Sequence, residues 1–60
     1  MTATEEEVAN LYCGKKLSYE EIGELLFMSP RTAANHMRNV GKRFGGYTPT
    51  TVRNIWPHLD

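Results

Sequence analysis

The sequence predicts an all-α domain of four helices of unequal length. Three observations predict it. Sixty residues make one domain, 1–60, with one small core. Apolar residues recur at three- and four-residue spacing, and no stretch alternates as a strand would. Each periodic stretch follows a serine or threonine that has either a glutamate three residues on or a proline directly after it, and both are helix starts.

The first start is Thr4 with Glu7, a capping box in which hydroxyl and carboxylate each satisfy an orphan amide. The helix that follows is expected to bury Val8, Leu11 and Tyr12, with Cys13 on the same apolar side. Gly14 can end it in a left-handed conformation. Glu5, Glu6 and Glu7 sit where the helix dipole favours negative charge. Lys15-Lys16-Leu17 links to a second capping box, Ser18 with Glu21. The helix it opens, about residues 19–26, carries Ile22, Leu25 and Leu26 on one face. Gly23 in mid-helix costs about 1 kcal/mol relative to alanine, and its placement points to a close backbone approach by a neighbouring helix, with plain sequence drift as the alternative.

Phe27-Met28 forms a tight apolar connection to the third helix. Ser29 caps that helix and Pro30 takes its first position, where a missing N–H costs nothing. Gly45-Gly46 stops it at about residue 44. Thr48 then caps a last short helix from Pro49, which presents Val52, Ile55 and Trp56, and Pro57 closes it. The second and third helices are separated by about three residues, which is the helix-turn-helix arrangement.

The third helix, Ser29-Pro-Arg-Thr-Ala-Ala-Asn-His-Met-Arg-Asn-Val-Gly-Lys-Arg-Phe44, has two opposed faces. At about 100° per residue, Asn35, Arg38 and Lys42 fall within about 40° of Arg31, and Ala34 at about 60°. Ala33, Met37, Val40 and Phe44 cluster about 200° away. One side can be buried. The other carries the side chains that hold phosphates and read base edges.

Net charge is zero, but its distribution is not even. Residues 1–30 carry six acids (Glu5, Glu6, Glu7, Glu20, Glu21, Glu24) and two bases (Lys15, Lys16), net −4. Residues 31–60 carry five bases (Arg31, Arg38, Lys42, Arg43, Arg53) and one acid (Asp60), net +4. A polyanion responds to the local field, so the second half suits nucleic acid.

Other classes of function find little support. The chain has no room for a deep catalytic cleft. No nucleophile–base pair, glycine-rich phosphate loop or paired carboxylates stand out, so no enzyme activity is expected. Cys13 is the one cysteine, and with two distant histidines, His36 and His58, it forms no metal site, so no metal and no cofactor is expected. His36 borders the apolar stripe and reads as a packing residue. No apolar run reaches the length of a signal peptide or membrane span, so no membrane partner is expected and a reducing cytoplasm is the default compartment.

The run from Ser18-Tyr-Glu-Glu-Ile to Lys42-Arg-Phe-Gly45 resembles the LuxR/FixJ-type helix-turn-helix, the four-helix DNA-binding domain of many bacterial regulators. Glu21-Ile22, Leu25, Met28-Ser29, Thr32, His36 and the Lys42 to Gly45 ending occupy the family's pattern positions, and Glu7-Val8 and Leu11 resemble its first helix. The likeness covers about residues 4–47. Ser18-Tyr-Glu-Glu-Ile is equally similar to region four of bacterial sigma factors. Three departures stand out: a link before Ser18 one residue longer than usual, Ala33 in place of the usual valine, and Gly41 inside the third helix. The final segment also matches poorly. In the family the fourth helix commonly forms the dimer contact.

The resemblance implies that Ala34, Asn35 and Arg38 read bases, in agreement with the helix-face geometry. Arg38 can donate two hydrogen bonds to guanine, Asn35 can pair with adenine, and Ala34 can touch a thymine methyl. Thr32 and Asn39, with Arg31, Lys42 and Arg43, are expected to hold phosphates. Lys15 and Lys16 can reach the DNA backbone from their loop or stand as a solvated pair.

The expected function is therefore sequence-specific binding of double-stranded DNA as a bacterial or phage transcriptional regulator. The sequence fits a whole small regulator and an excised C-terminal domain equally. One domain makes few phosphate contacts, so tight binding calls for a homodimer or an attached partner. The alternative is a protein-interaction module that docks on RNA polymerase or a sigma factor, with acidic Glu20, Glu21 and Glu24 on the second helix and Tyr47 and Trp56 as candidate aromatic anchors, although core packing is the favoured role for Trp56 in so small a domain.

Overall fold

The protein's structure, a computed structural model that describes residues 2–56, contains four α-helices and no strand among those residues. α1 spans Ala3–Ala9, α2 Tyr19–Leu26, α3 Pro30–Arg43 and α4 Pro49–Ile55. A π-helical turn, Asn10–Gly14, continues α1. α3 packs against α1, α2 and α4, so the longest helix is the centre of the domain. Pro57 and His58 lie outside the described residues.

The first cap is one register earlier than expected. Thr2 and Glu5 form the capping box, not Thr4 and Glu7. The two Thr-x-x-Glu patterns overlap by two residues. The earlier one supplies two of the seven residues of this helix, and each residue added to a short helix brings a further backbone bond. The end of this helix also differs. Lys15 N–H donates to the Asn10 carbonyl (3.1 Å) and Leu17 N–H to the Leu11 carbonyl (3.0 Å), so the chain widens into a π turn. The left-handed residue is Lys16 (φ 60°), not Gly14. The wider turn also changes which side chains face inward. Val8, Ala9, Tyr12 and Cys13 are buried, and Leu11, expected in the core, is half-buried at its edge.

Ser18 and Glu21 form the expected capping box at the start of α2. Ile22 is fully buried and Leu26 packs on the core, but Leu25 is 57% exposed. α2 has only eight residues, and its buried strip is too narrow to take in all three apolar side chains. The turn to α3 is made by Phe27 in the left-handed conformation (φ 56°), after which Met28 N–H donates to the Gly23 carbonyl (2.9 Å). This brings the Met28 carbonyl against Gly23, where a Cβ would collide with it. A close backbone approach is there, but the turn itself makes it and not, as expected, a neighbouring helix.

Ser29 caps α3: its hydroxyl accepts from Thr32 N–H (3.1 Å), and Pro30 fills the first turn. Ala33, Met37 and Val40 are fully buried, as the apolar stripe requires, and Phe44 packs against the core from its rim. Gly45 (φ 116°) and Gly46 (φ 84°) end the helix in backbone conformations that side chains disfavour. The returning chain lays the Tyr47 carbonyl on Gly41, and the Gly41 carbonyl accepts from both Gly46 and Tyr47 N–H (3.0 Å each). Gly41 is thus a packing glycine, more than a weak point in the helix. Thr48 caps α4 through Thr51 N–H (3.2 Å), and Val52 completes the core.

Candidate nucleic-acid interface

The exposed side of α3 follows from what its other side buries. With Ala33, Met37 and Val40 fixed in the core, the residues half a turn away must face solvent. Arg31, Asn35, Arg38 and Lys42 are exposed there, flanked by exposed Thr32, Asn39 and Arg43. α3 thus carries four cations and no acid along fourteen residues. Ala34, expected to touch a base, is half-buried, and only part of its methyl surface is free. The Thr32 hydroxyl is paired with the Ser29 hydroxyl (2.9 Å), so it belongs to the cap as well as to the outer face. His36 is half-buried beside the stripe, with Nδ1 buried and without a hydrogen-bond partner.

The cations are not equally placed relative to the helix dipole. Lys42 and Arg43 lie in the last turn, where positive charge is favoured. Arg31 lies in the first turn, where it is not, and an anion against that turn would relieve the mismatch. Arg38 sits near the start of α2, close enough for its charge to act on Tyr19. The Tyr19 hydroxyl is pushed well above the usual tyrosine range by burial, and then by the neighbouring Tyr12, while Arg38 opposes the rise.

A cluster beside this face has no signature in the sequence. The Tyr12 and Tyr19 rings stack in parallel, with centroids 4.6 Å apart. The Arg53 guanidinium lies over the Tyr12 ring, 5.1 Å from its centroid. Lys16 Nζ donates to the Arg53 carbonyl (2.7 Å), and Arg53 Nη2 donates to the Lys16 carbonyl (3.3 Å). Lys16 is therefore tied to α4 and is not one of a solvated pair. Pairing over such sequence distance leaves no local pattern to read. Behind the cluster, burial pushes the Cys13 thiol up, partly offset by Lys16 and Arg53.

Of the two aromatic anchors expected for a protein partner, Tyr47 is 42% exposed, whereas Trp56 packs against the core. Among the described residues, no group of three or more histidines, cysteines or acids is placed to hold a metal ion, and no helix is long and apolar enough to cross a membrane. No family model, curated protein or solved structure matches this chain.

Proposed function

We propose that this protein binds double-stranded DNA sequence-specifically and acts as a transcriptional regulator of the LuxR/FixJ helix-turn-helix type, with α3 in the major groove. One observation carries the reading: α3 is anchored in the core along one side and presents four cations, two asparagines and no acid along the other. A helix with its side chains is about 10–12 Å across, and the major groove is about 12 Å wide. Arg38 and Asn35 then meet base edges, with Ala34 contributing the exposed part of its methyl. Arg31, Thr32, Asn39, Lys42 and Arg43 contact phosphates on either side. A single α3 makes few such contacts, so a homodimer on two half-sites completes the site. A cytoplasmic location belongs to the same proposal, and a buried free thiol at Cys13 suits it.

The test is selection of a preferred duplex from a random pool, followed by anisotropy titrations at several salt concentrations. Affinity should fall steeply with salt, and Arg38→Ala should weaken the selected duplex more than a random one. Salt-independent binding, or no enrichment of any sequence, overturns the proposal.

A further inference from the structure

Phe27 is 95% exposed and holds a left-handed backbone (φ 56°), two unfavourable features in one residue. Two residues before it, Leu25 is 57% exposed. Leu25 and Leu26 form one wall of an open groove of about 410 Å³, and Leu11 from the π turn forms the other, with Glu7, Asn10 and Lys15 at its edges. No residue of α3 lines the groove, so it stays free when the cationic face of α3 is occupied.

The lining itself holds one acid, Glu7, and one base, Lys15, but the helices on either side of it are acidic. Every acid among the described residues, Glu5, Glu6, Glu7, Glu20, Glu21 and Glu24, lies on α1 or α2, the elements that build the groove. We propose that this groove, with exposed Phe27 following its Leu25-Leu26 wall in the chain, docks an amphipathic helix of a protein partner that carries lysine and arginine alongside its apolar face. The apolar side of that helix covers Leu11, Leu25 and Phe27, and its cations meet the glutamates of α1 and α2. Among the described residues, a second copy of this chain has no such helix to offer. The apolar side of its one strongly cationic helix, α3, is already buried at Ala33, Met37 and Val40. The proposal does not rest on DNA binding.

The probe is a capped synthetic peptide with leucines at i, i+3, i+4 and i+7 and lysines elsewhere, titrated into the ¹⁵N-labelled full chain. Two controls accompany it: a scrambled peptide of the same composition whose leucines share no face, and a version with glutamate in place of lysine. Amide shifts should centre on Leu11, Leu25, Leu26 and Phe27. Leu25→Gln and Phe27→Gly should each lower affinity about ten-fold. Phe27→Gly should also unfold at or above the parent's midpoint, because glycine accepts the left-handed backbone, so loss of binding there is not loss of fold. Equal binding of either control peptide, shifts centred on α3, or no shifts overturn the proposal. Shifts at these residues that grow with protein concentration alone also overturn it, since they assign the groove to a second copy.

Discussion

Lys16 and Arg53 exchange hydrogen bonds across 37 residues, each side chain donating to the other's main-chain carbonyl, at 2.7 and 3.3 Å. The exchange joins the loop before α2 to the last turn of α4. It also holds Arg53 over the Tyr12 ring, and thereby closes one side of the Tyr12–Tyr19 stack. Lys16 does this from a left-handed backbone, so its side chain offsets a conformational cost incurred at the same residue.

That arrangement separates two effects by substitution. Lys16→Ala removes the side-chain bond and keeps the strain. Lys16→Gly removes the bond and relieves the strain. Alanine should cost about 1 kcal/mol, the usual net value of one hydrogen bond. Glycine should cost less by about 0.5–1 kcal/mol, the part of the left-handed penalty that remains after its greater freedom in the unfolded chain. Urea unfolding of the two variants decides it, and a glycine variant less stable than the alanine variant refutes the account.

Gly41→Ala should destabilise the domain, against the ordinary rule. In an exposed helix interior the change gains about 1 kcal/mol. At Gly41 the added methyl meets the Tyr47 backbone, which cannot rotate away as a flexible side chain can. Relief requires opening the α3–α4 connection, at a cost of about 1–3 kcal/mol. Thermal unfolding checks this, and a Gly41→Ala protein with a raised midpoint contradicts the packing described.

On the proposed DNA face, Arg38→Ala and Lys42→Ala should differ in kind. Arg38→Ala should lose about 1–3 kcal/mol on the preferred duplex, with discrimination relaxed at one base pair. Lys42→Ala should weaken all duplexes by similar factors and reduce the salt slope by about one. Both residues are exposed, so unfolding midpoints should stay close to the parent's, and a large drop in either would trace the binding loss to folding.

The elements legible in the sequence were those specified locally. Ser18 with Glu21, Ser29 with Pro30 and Thr48 with Pro49 mark the starts of α2, α3 and α4 because a cap involves only the first turn. The polar face of α3 was legible because it needs only a helix and a buried stripe opposite. The rest depended on partners distant in sequence or on competition between equal local signals. Thr2 and Thr4 offer the same cap pattern, and nothing nearby ranks them. The π turn and the left-handed Lys16 arise where α1 must turn toward α2 and α4. Leu25 fits a helical stripe as well as Ile22 does, but α2 is covered along one narrow line only. Phe27 reads as part of an apolar connection, yet the tight return to Gly23 turns its side chain outward.

The stability of the domain should fall in alkali for a reason fixed by the Tyr12–Tyr19 region. Burial pushes the Cys13 thiol above its ordinary value of 9.0 and the Tyr19 hydroxyl above its ordinary 10.0. In each case the folded state retains the proton that the unfolded chain releases. Their contribution is therefore fully present below about pH 9 and is lost as pH rises, first through Cys13 and then, past about 10, through Tyr19. Tyr19→Phe keeps the ring stack and removes the second ionisation. Cys13→Ala removes the first, with a uniform loss from its smaller side chain. Urea midpoints at pH 7, 9.5 and 10.5 should then show the parent falling fastest, Tyr19→Phe departing from it only above about pH 10, and Cys13→Ala departing from about pH 9. Parallel curves for parent and variants would refute this account of the alkaline loss.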